Sequence, residues 1–221
     1  MGIFTYYYMT STRFQNAPRS AGGGSWGYAS DAVTLRGWFN ANTASYDGIA
    51  AVGAHIASVQ LSGSSIWIEN DSWDTDIGTF AQDSWYFFSL SLSGSTATLR
   101  YSADQETIAD TLSVSIGTWS ATTISVGTNA AGDNAADAQF HHCRVASGVT
   151  ETDETFLAAI SDSAADGEWA YWQLEDAALT DSSGNSRPLT GSGGTISVGS
   201  SSAPIPTKTE EYNAIMMGSC F

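Results

Sequence analysis

The chain has 221 residues, of which 42% are hydrophobic and only 14% are charged. This length and hydrophobic content predict one large domain with a closed core and exclude a largely disordered chain. The 23 acidic residues outweigh seven basic ones and give a net charge of -16, which repels phosphate backbones, so we expect no nucleic-acid partner.

Short apolar runs separated by polar turns predict about ten β-strands. The candidate strands are residues 3–10, 32–40, 48–53, 56–61, 65–69, 85–92, 96–101, 124–128, 139–145, 169–174 and 195–198. Ser-Gly-Ser turns at residues 62–64 and 93–95 separate alternating apolar runs, which predicts two hairpins.

One helix is predicted, from Thr150 to Ile160. Thr150 is placed to cap its N-terminus, with Asp153 three residues later as in a capping box. Phe156, Leu157 and Ile160 form the apolar stripe that we expect to be buried.

The chain divides into three parts. Residues 1–31 supply an N-terminal strand and a Gly-rich loop, residues 32–199 the main domain, and residues 200–221 a linker and tail. The apolar residues of the tail predict either an extra strand or a docking segment for a partner. They are Tyr212, Ile215, Met216, Met217 and Phe221.

Five segments carry a family resemblance. They are Val33–Phe39, Trp85–Tyr101, Ile124–Gly127, Phe140–Val145 and Glu168–Asn185. Together they resemble the laminin-G-like jelly rolls of the concanavalin A-like lectin and glucanase superfamily. The resemblance implies an all-β fold in which two antiparallel sheets form a jelly-roll sandwich with one short surface helix.

The order of the segments departs from the family. The Trp172-Gln-Leu174 strand and the Asp181–Asn185 turn resemble the family's opening strand and turn, yet they follow the helix in this chain. A sandwich with adjacent ends tolerates such a permutation, whereas a truncated second repeat would leave its apolar face uncovered. We therefore predict one circularly permuted domain.

Two motifs suggest enzymes without meeting their requirements. Glu151-Thr-Asp-Glu154 resembles the start of a glucanase signature, but Thr155 replaces the next carboxylate and the segment is typical of a helix start. Gly23-Gly-Ser-Trp-Gly27 matches a nucleophile elbow in letters only, because no helix is predicted after it. We expect a flexible Gly loop and no enzyme.

His141, His142 and Cys143 raise a zinc hypothesis. On a regular strand His141 and Cys143 share one face while His142 points away, and no second ligand pair lies nearby. Core packing of Cys143 is therefore favoured over zinc. Two cysteines do not make a disulfide scaffold, so Cys143 and Cys220 are expected as separate thiols, with a bridge between them left open.

Calcium is the cofactor that the sequence makes most plausible. Asn70, Asp71, Asp74 and Asp76 offer closely spaced oxygen donors in a predicted loop, and calcium takes six to eight oxygens. Some laminin-G-like relatives bind calcium at the sandwich rim. A merely solvated acidic loop is nevertheless favoured, so we expect no cofactor, with calcium as the one possibility left open.

Sugar binding requires aromatic side chains that expose a ring face beside polar groups. Trp26 and Tyr28 in the Gly-rich loop, Trp73 in the acidic loop, and Trp119 are the candidates. The remaining tryptophans fit core positions better.

The resemblance extends to proteins of tailed-phage virions. We therefore predict a noncatalytic virion protein that decorates or adheres at a capsid or tail, anchored by its terminal arm to other virion proteins or to itself. The alternative is a free, extracellular carbohydrate-binding module that binds a surface glycan, with calcium as a possible requirement; a glycoside hydrolase ranks third. The chain shows neither an apolar run of about 18 residues nor a secretory leader pattern, so we expect no membrane partner.

Overall fold

The computed structural model describes residues 10–27, 32–43, 46–70, 73–104, 106–129, 134–148, 150–161, 168–191, 193–201 and 203–204. These residues contain fourteen strands and one helix. The strands are β1 (Thr12–Gln15), β2 (Arg19–Gly27), β3 (Ala32–Ala41), β4 (Asp47–Val52), β5 (Ala57–Ser62), β6 (Ser65–Asn70), β7 (Trp73–Thr79), β8 (Trp85–Ser93), β9 (Thr96–Ser102), β10 (Asp110–Ser115), β11 (Ser120–Val126), β12 (Asp137–Ser147), β13 (Ala170–Trp172) and β14 (Thr195–Val198). The helix is α1 (Asp153–Ser161).

The described strands form two antiparallel sheets that face each other across one core. The larger sheet has the order β10-β9-β8-β3-β12-β1-β14, with β13 also paired to β12. The smaller sheet has the order β2-β11-β4-β5-β6-β7. This all-β sandwich with a short helix confirms the predicted fold class, and the late strands β13 and β14 belong to the same sheet as β1.

The core is built from alternate residues on each strand. On β3 and β8, the directly paired residues Val33 and Leu92, and Leu35 and Leu90, are fully buried. Each such side chain contributes about 1.5–3 kcal/mol by leaving water. Because side chains on a strand alternate between faces, the residues between these turn towards the outer face of the larger sheet.

A bulge interrupts the pairing of β12 with β3. His141 pairs with Trp38 and Arg144 with Arg36, so β12 takes three steps where β3 takes two. The extra residue is His142, whose φ of 49° lies in the left-handed region. The bulge turns His142 to the same outer face as His141, contrary to the regular strand that the sequence predicts.

Helix α1 covers part of the outer face of the larger sheet. Phe156 and Ile160 pack against Trp38 and Phe87, and the Phe87 and Phe156 rings lie 5.4 Å apart. Leu157, predicted to be buried, is exposed because it points away from this contact. No helix within the described ranges is long and apolar enough to cross a bilayer.

The helix begins two residues later than a cap at Thr150 would place it. Thr152 caps it instead: the Thr155 backbone N–H donates to Thr152 Oγ1 at 3.2 Å, and the Thr152 N–H donates to Thr155 Oγ1 at 2.8 Å. This reciprocal pair has the form of a capping box with threonine in place of glutamate.

Arginines join the helix to the sheet beneath it. Arg36 Nε on β3 lies 3.2 Å from Glu151 Oε1, and both side chains are buried. Ser89 on β8 also donates to Glu151, and Arg144 on β12 donates to the Ala159 carbonyl of the helix. Glu151 is therefore an internal counter-ion of the fold.

The turn at residues 181–185 is organised by one carboxylate. Asp181 accepts hydrogen bonds from the backbone N–H groups of Tyr171, Ser183 and Arg187, each at 2.9 Å. Burial opposes ionisation of Asp181, but these hydrogen bonds outweigh it and hold its pKa below the usual value. The carboxylate thus ties β13 to the segment that follows it.

Two predicted loops are strands. Gly23–Gly27 belongs to β2, where a Cβ on Gly24 would lie 2.0 Å from the Trp26 ring, so glycine lets that ring lie against its own strand. The predicted acidic loop after Asn70 continues as β7, which pairs with β6. The strand predicted at residues 3–10 lies outside the described residues, apart from Thr10.

Removing the Glu151 side chain should make the protein less stable to unfolding. Glu151→Ala leaves the Arg36 guanidinium buried without its counter-ion, and we expect a loss of about 3–5 kcal/mol in the free energy of unfolding by urea denaturation. Asp153→Ala is the matched control, because Asp153 pairs with Arg100 at 2.8 Å but its side chain is 69% exposed. Its expected loss is about 0–1 kcal/mol. Equal losses would contradict a structural role for the buried pair.

Asp181 should make stability depend on pH in the acid range. A carboxyl whose pKa is lowered by folding stabilises the protein fully above its unfolded pKa, near 3.8, and this contribution disappears as the pH falls through the lower folded value. Asp181→Asn should therefore be less stable than the native protein at pH 7, by about 1–2 kcal/mol. Urea unfolding of both proteins between pH 7 and pH 2 should show the difference shrinking below about pH 4. A constant difference over that range would contradict this account.

Candidate functional site

The outer face of the smaller sheet is crossed by a row of mainly polar side chains, one from each strand. Residues that pair directly across antiparallel strands lie on the same face, so successive pairs define the row. From β2 to β7 the row consists of Ser20, Ser125, Ala51, Ser58, Glu69 and Asp74.

A second row runs beside the first. Gly48, Gln60, Trp67 and Asp76 pair in register from β4 to β7. Thr128, just after β11, lies against Gly48. We call the two rows together the polar face.

One end of the polar face holds a pocket of about 270 Å³. Its lining residues are Pro18, Arg19, Ser20, Ser125, Thr128, Thr190 and Gly191. Thr128 is only 4% exposed, and its hydroxyl has no hydrogen-bond partner among the described residues. A buried hydroxyl without a partner costs free energy, which a ligand with hydroxyl groups would recover.

The wall of the pocket is fixed by backbone pairing. The Ser20 N–H donates to the Thr190 carbonyl at 2.8 Å, and the Thr190 N–H donates back at 2.9 Å. Arg19 donates to the Pro18 carbonyl at 2.8 Å and to the Gly193 carbonyl at 3.3 Å. No described carboxylate pairs with Arg19, so its positive charge remains available at the pocket.

The other end of the polar face carries an indole and carboxylates. Trp67 is half-buried between Gln60 and Asp76, and its indole N–H has no partner among the described residues. Glu69 accepts a hydrogen bond from Ser58 Oγ at 3.1 Å and, with the amide oriented by its surroundings, from Gln60. An apolar ring surrounded by oriented donors and acceptors suits a ligand with both apolar and hydroxyl surfaces.

Two of the predicted sugar-binding tryptophans lie in the core. Trp26 is buried against Trp169 with ring centroids 4.8 Å apart, and its indole N–H donates to Ser147 Oγ at 3.0 Å. Trp119 is also buried and donates to the Gly94 carbonyl at 2.6 Å. Neither has the open ring face on which the prediction depends. Tyr28 and the Trp73 side chain, the other two candidates, lie outside the described residues.

The sequence analysis missed Trp67, although its signal is present. Trp67 stands between Ile66 and Ile68, which are both buried on the inner face. Period-two alternation on a strand therefore turns Trp67 outward. An outward tryptophan in a regular strand is a stronger sugar-binding candidate than one in a Gly-rich segment.

The predicted calcium donors divide between the two faces of a hairpin. Asp74 and Asp76 are exposed on the polar face, opposite Glu69 and Trp67, whereas Asn70 is one pleat out of step with them. Because side chains alternate between the two faces of a strand, Asn70 lies on the opposite face from Asp74 and Asp76. These three residues therefore cannot supply oxygens to one calcium ion. Asp71 lies outside the described residues, so calcium binding stays a prediction.

The predicted docking residues also lie outside the described residues. They are Tyr212, Ile215, Met216, Met217 and Phe221. Cys220 lies there as well. Cys143 is a free, buried thiol, and burial raises its pKa above the usual value.

Solved structures share this sandwich, although no protein-family model matches the sequence and a search of curated proteins finds no match. A Bacteroides ovatus protein assigned as carbohydrate-binding aligns over 91% of this chain and 63% of its own, with a TM-score of 0.67 and 12% identity. The heptameric SAP-like pentraxin of Limulus polyphemus aligns over 89% and 98%, with a TM-score of 0.54 and 10% identity. Mouse laminin alpha1 domains LG4-5 align over 62% and 41%, with a TM-score of 0.46 and 8% identity.

The first two of these likenesses show the fold. The jelly-roll sandwich that the sequence resemblance implies is therefore confirmed by the strand topology and by the first two solved structures. The chain spans less than two thirds of the Bacteroides ovatus protein, so it corresponds to only part of that protein.

Gly48 should be indispensable to the polar face. A Cβ at this position would lie 1.9 Å from the Asn129 backbone N and 2.2 Å from the Thr128 carbonyl carbon, so the loop after β11 would have to move. We expect Gly48→Ala to cost about 3 kcal/mol in urea unfolding. Gly22→Ala, whose added Cβ would meet nothing within 4 Å, should change stability by less than about 1 kcal/mol. Similar costs for the two variants would show that this close approach is unimportant.

Proposed function

We propose that the chain is a noncatalytic carbohydrate-binding module that holds its sugar on the polar face. The observation that carries the proposal is the pair of unsatisfied donors on this face: the Trp67 indole N–H and the buried Thr128 hydroxyl. A sugar ring offers an apolar face to an indole and hydroxyl groups to such donors. Ser20 and Ser125, which are half-buried, supply further hydroxyl groups at the pocket.

The fold supports the same function. The Bacteroides ovatus protein, assigned as carbohydrate-binding, has a sandwich that aligns with nine tenths of this chain. That likeness makes sugar binding the function to test first, while the sugar itself has to be inferred from this chain's own residues.

The charges on the polar face favour a neutral glycan. Glu69, Asp74 and Asp76 lie at the Trp67 end, where they repel a polyanion. Arg19 is the one cation that the described residues place at this face, and it lies at the opposite end. We propose that a neutral oligosaccharide lies across the strands, with one sugar at Trp67 and another in the pocket.

Decoration of a virion through the terminal arm stays a prediction from the sequence. The arm's apolar residues lie outside the described ones, and the features of the polar face favour glycan binding instead. Detection of the chain in purified particles, with loss of incorporation after deletion of residues 203–221, would support the virion role.

Trp67 gives the direct test of the proposal. A glycan array identifies a ligand, and isothermal titration then compares the native protein with Trp67→Ala. Loss of a central tryptophan costs about 2 kcal/mol or more in binding, which corresponds to roughly 30-fold weaker affinity. Thr128→Val, which removes the unpaired hydroxyl, should weaken binding of the longer oligosaccharides alone.

Trp85→Ala is the matched control. Trp85 is also half-buried with an unpaired indole N–H among the described residues, but it packs beside α1 on the other sheet. Trp85→Ala should leave the glycan affinity unchanged, while it should lower the stability of the protein about as much as Trp67→Ala does. Equal binding by the Trp67 and Trp85 variants, or no glycan bound at all, would overturn the proposal.

A further inference from the structure

The bulge in β12 places three metal-ligating side chains together on the outer face of the larger sheet. His141 Nε2 lies 3.5 Å from Glu175 Oε1, and His142 Nε2 lies 3.8 Å from the same oxygen. The three ligating atoms all lie within 4.8 Å of one another. No other group of three histidine, cysteine, aspartate or glutamate side chains is this close in the part of the chain that the structure describes.

The two imidazoles are buried without the hydrogen bonds that burial normally requires. His141 is 0% exposed, and neither of its ring nitrogens makes a hydrogen bond among the described residues. His142 is also buried, and its Nε2 is likewise unpaired. Buried polar atoms are almost always satisfied in proteins, so these nitrogens are suited to bind a further group.

We propose that His141, His142 and Glu175 form a binding site for a divalent transition-metal ion, with Zn²⁺ as its reference ligand. A tetrahedral zinc ion with bonds of about 2.0–2.1 Å holds its ligand atoms roughly 3.3 Å apart. The two observed nitrogen–oxygen separations are close to that value, and the ligand atoms of the two histidines, which lie within 4.8 Å of each other, approach it by side-chain rotation. Two imidazoles and one carboxylate suit zinc, cobalt or iron, whereas calcium requires a shell of oxygens.

A second layer of contacts orients the ligands. The Tyr171 hydroxyl bonds to His142 Nδ1, and when Nδ1–H donates to it, the lone pair of Nε2 is free for a metal. The His142 backbone N–H donates to the Gln173 carbonyl at 2.9 Å, which holds the segment carrying Glu175 beside the bulge. Asp176 accepts a 2.5 Å hydrogen bond from Thr10 Oγ1, which anchors the far side of Glu175.

The protonation states of the imidazoles agree with this geometry. Burial, together with the neighbouring ring, lowers the pKa of His141 to about 3, and burial together with Arg144 lowers that of His142 to about 4. Both imidazoles are therefore neutral at physiological pH, which is the form that binds a metal. Burial and Asp176 raise the pKa of Glu175, and a bound cation would reverse that effect.

The site is separate from the polar face and open to water on one side. Cys143 does not take part, because the bulge turns it into the core, where it meets Gly37. The Glu175 side chain is 33% exposed, so a metal ion held here would have a route to solvent. The site lies on the other sheet from the proposed sugar-binding residues, so the two proposals stand or fall independently.

Titration of chelator-treated, full-length protein tests the proposal. Calorimetry with Zn²⁺ should show about one ion per chain, and Co²⁺ should give the visible absorption of a low-symmetry site with nitrogen ligands. Glu175→Gln removes the carboxylate at the most exposed ligand, and we expect at least about tenfold weaker Zn²⁺ binding. Glu154→Gln, an exposed acid on α1, is the matched control and should bind like the native protein.

Tyr171→Phe separates a metal site from chance binding by surface acids. It removes the hydroxyl that contacts His142 Nδ1, and we expect about 10- to 100-fold weaker Zn²⁺ binding. The melting temperature without metal shows that each variant folds. Adding Zn²⁺ should raise the melting temperature less in Glu175→Gln and Tyr171→Phe than in the native protein. Absence of stoichiometric binding, or Glu175→Gln binding that equals the control, would overturn the proposal.

Discussion

An extra residue in β12, between His141 and Arg144, determines which side chains of this strand face the core and which face outward. On one side β12 pairs with β3 along nearly its whole length; on the other it pairs with β1 before the bulge and with β13 after it. Phe140 and Cys143 both face the core, so the bulge shifts the alternation without breaking the apolar layer. Without it, Arg144 would turn inward, away from the helix whose carbonyl it binds.

The two outer faces of the sandwich differ in what lies on them. On the larger sheet, α1 covers the centre, and Arg36 and Arg144 meet the Glu151 carboxylate and a helix carbonyl beneath it. On the smaller sheet, the two rows end in a pocket and in the half-buried Trp67, while Ala51, Ser58 and Gln60 between these ends are buried. Contacts of arginines with a carboxylate and a carbonyl therefore hold the helix on one face, while the other face carries the unpaired Trp67 and Thr128 donors on which the proposed glycan site depends.

Local sequence signals predicted most of the sheet and little of the sites. The Ser-Gly-Ser hairpins and the strand at residues 195–198 were found because turn chemistry and alternation act over a few residues. β2 and β7 were missed because glycines and carboxylates usually mark loops, whereas neighbouring strands hold both segments extended. Trp26 was wrongly expected to be exposed, because it is buried against Trp169, which is distant in sequence. The proposed metal site depends on the φ of His142 and on Glu175, neither of which strand periodicity reveals.

The first and last described strands lie beside each other at one margin of the larger sheet. β1 and β14 pair with each other, and the Gly199 N–H donates to the Ser11 carbonyl at 2.7 Å just beyond them. The start of β1 and the end of β14 therefore lie next to each other at one margin of the larger sheet. A host fold could accommodate such a unit within one surface loop without its own strands being forced apart.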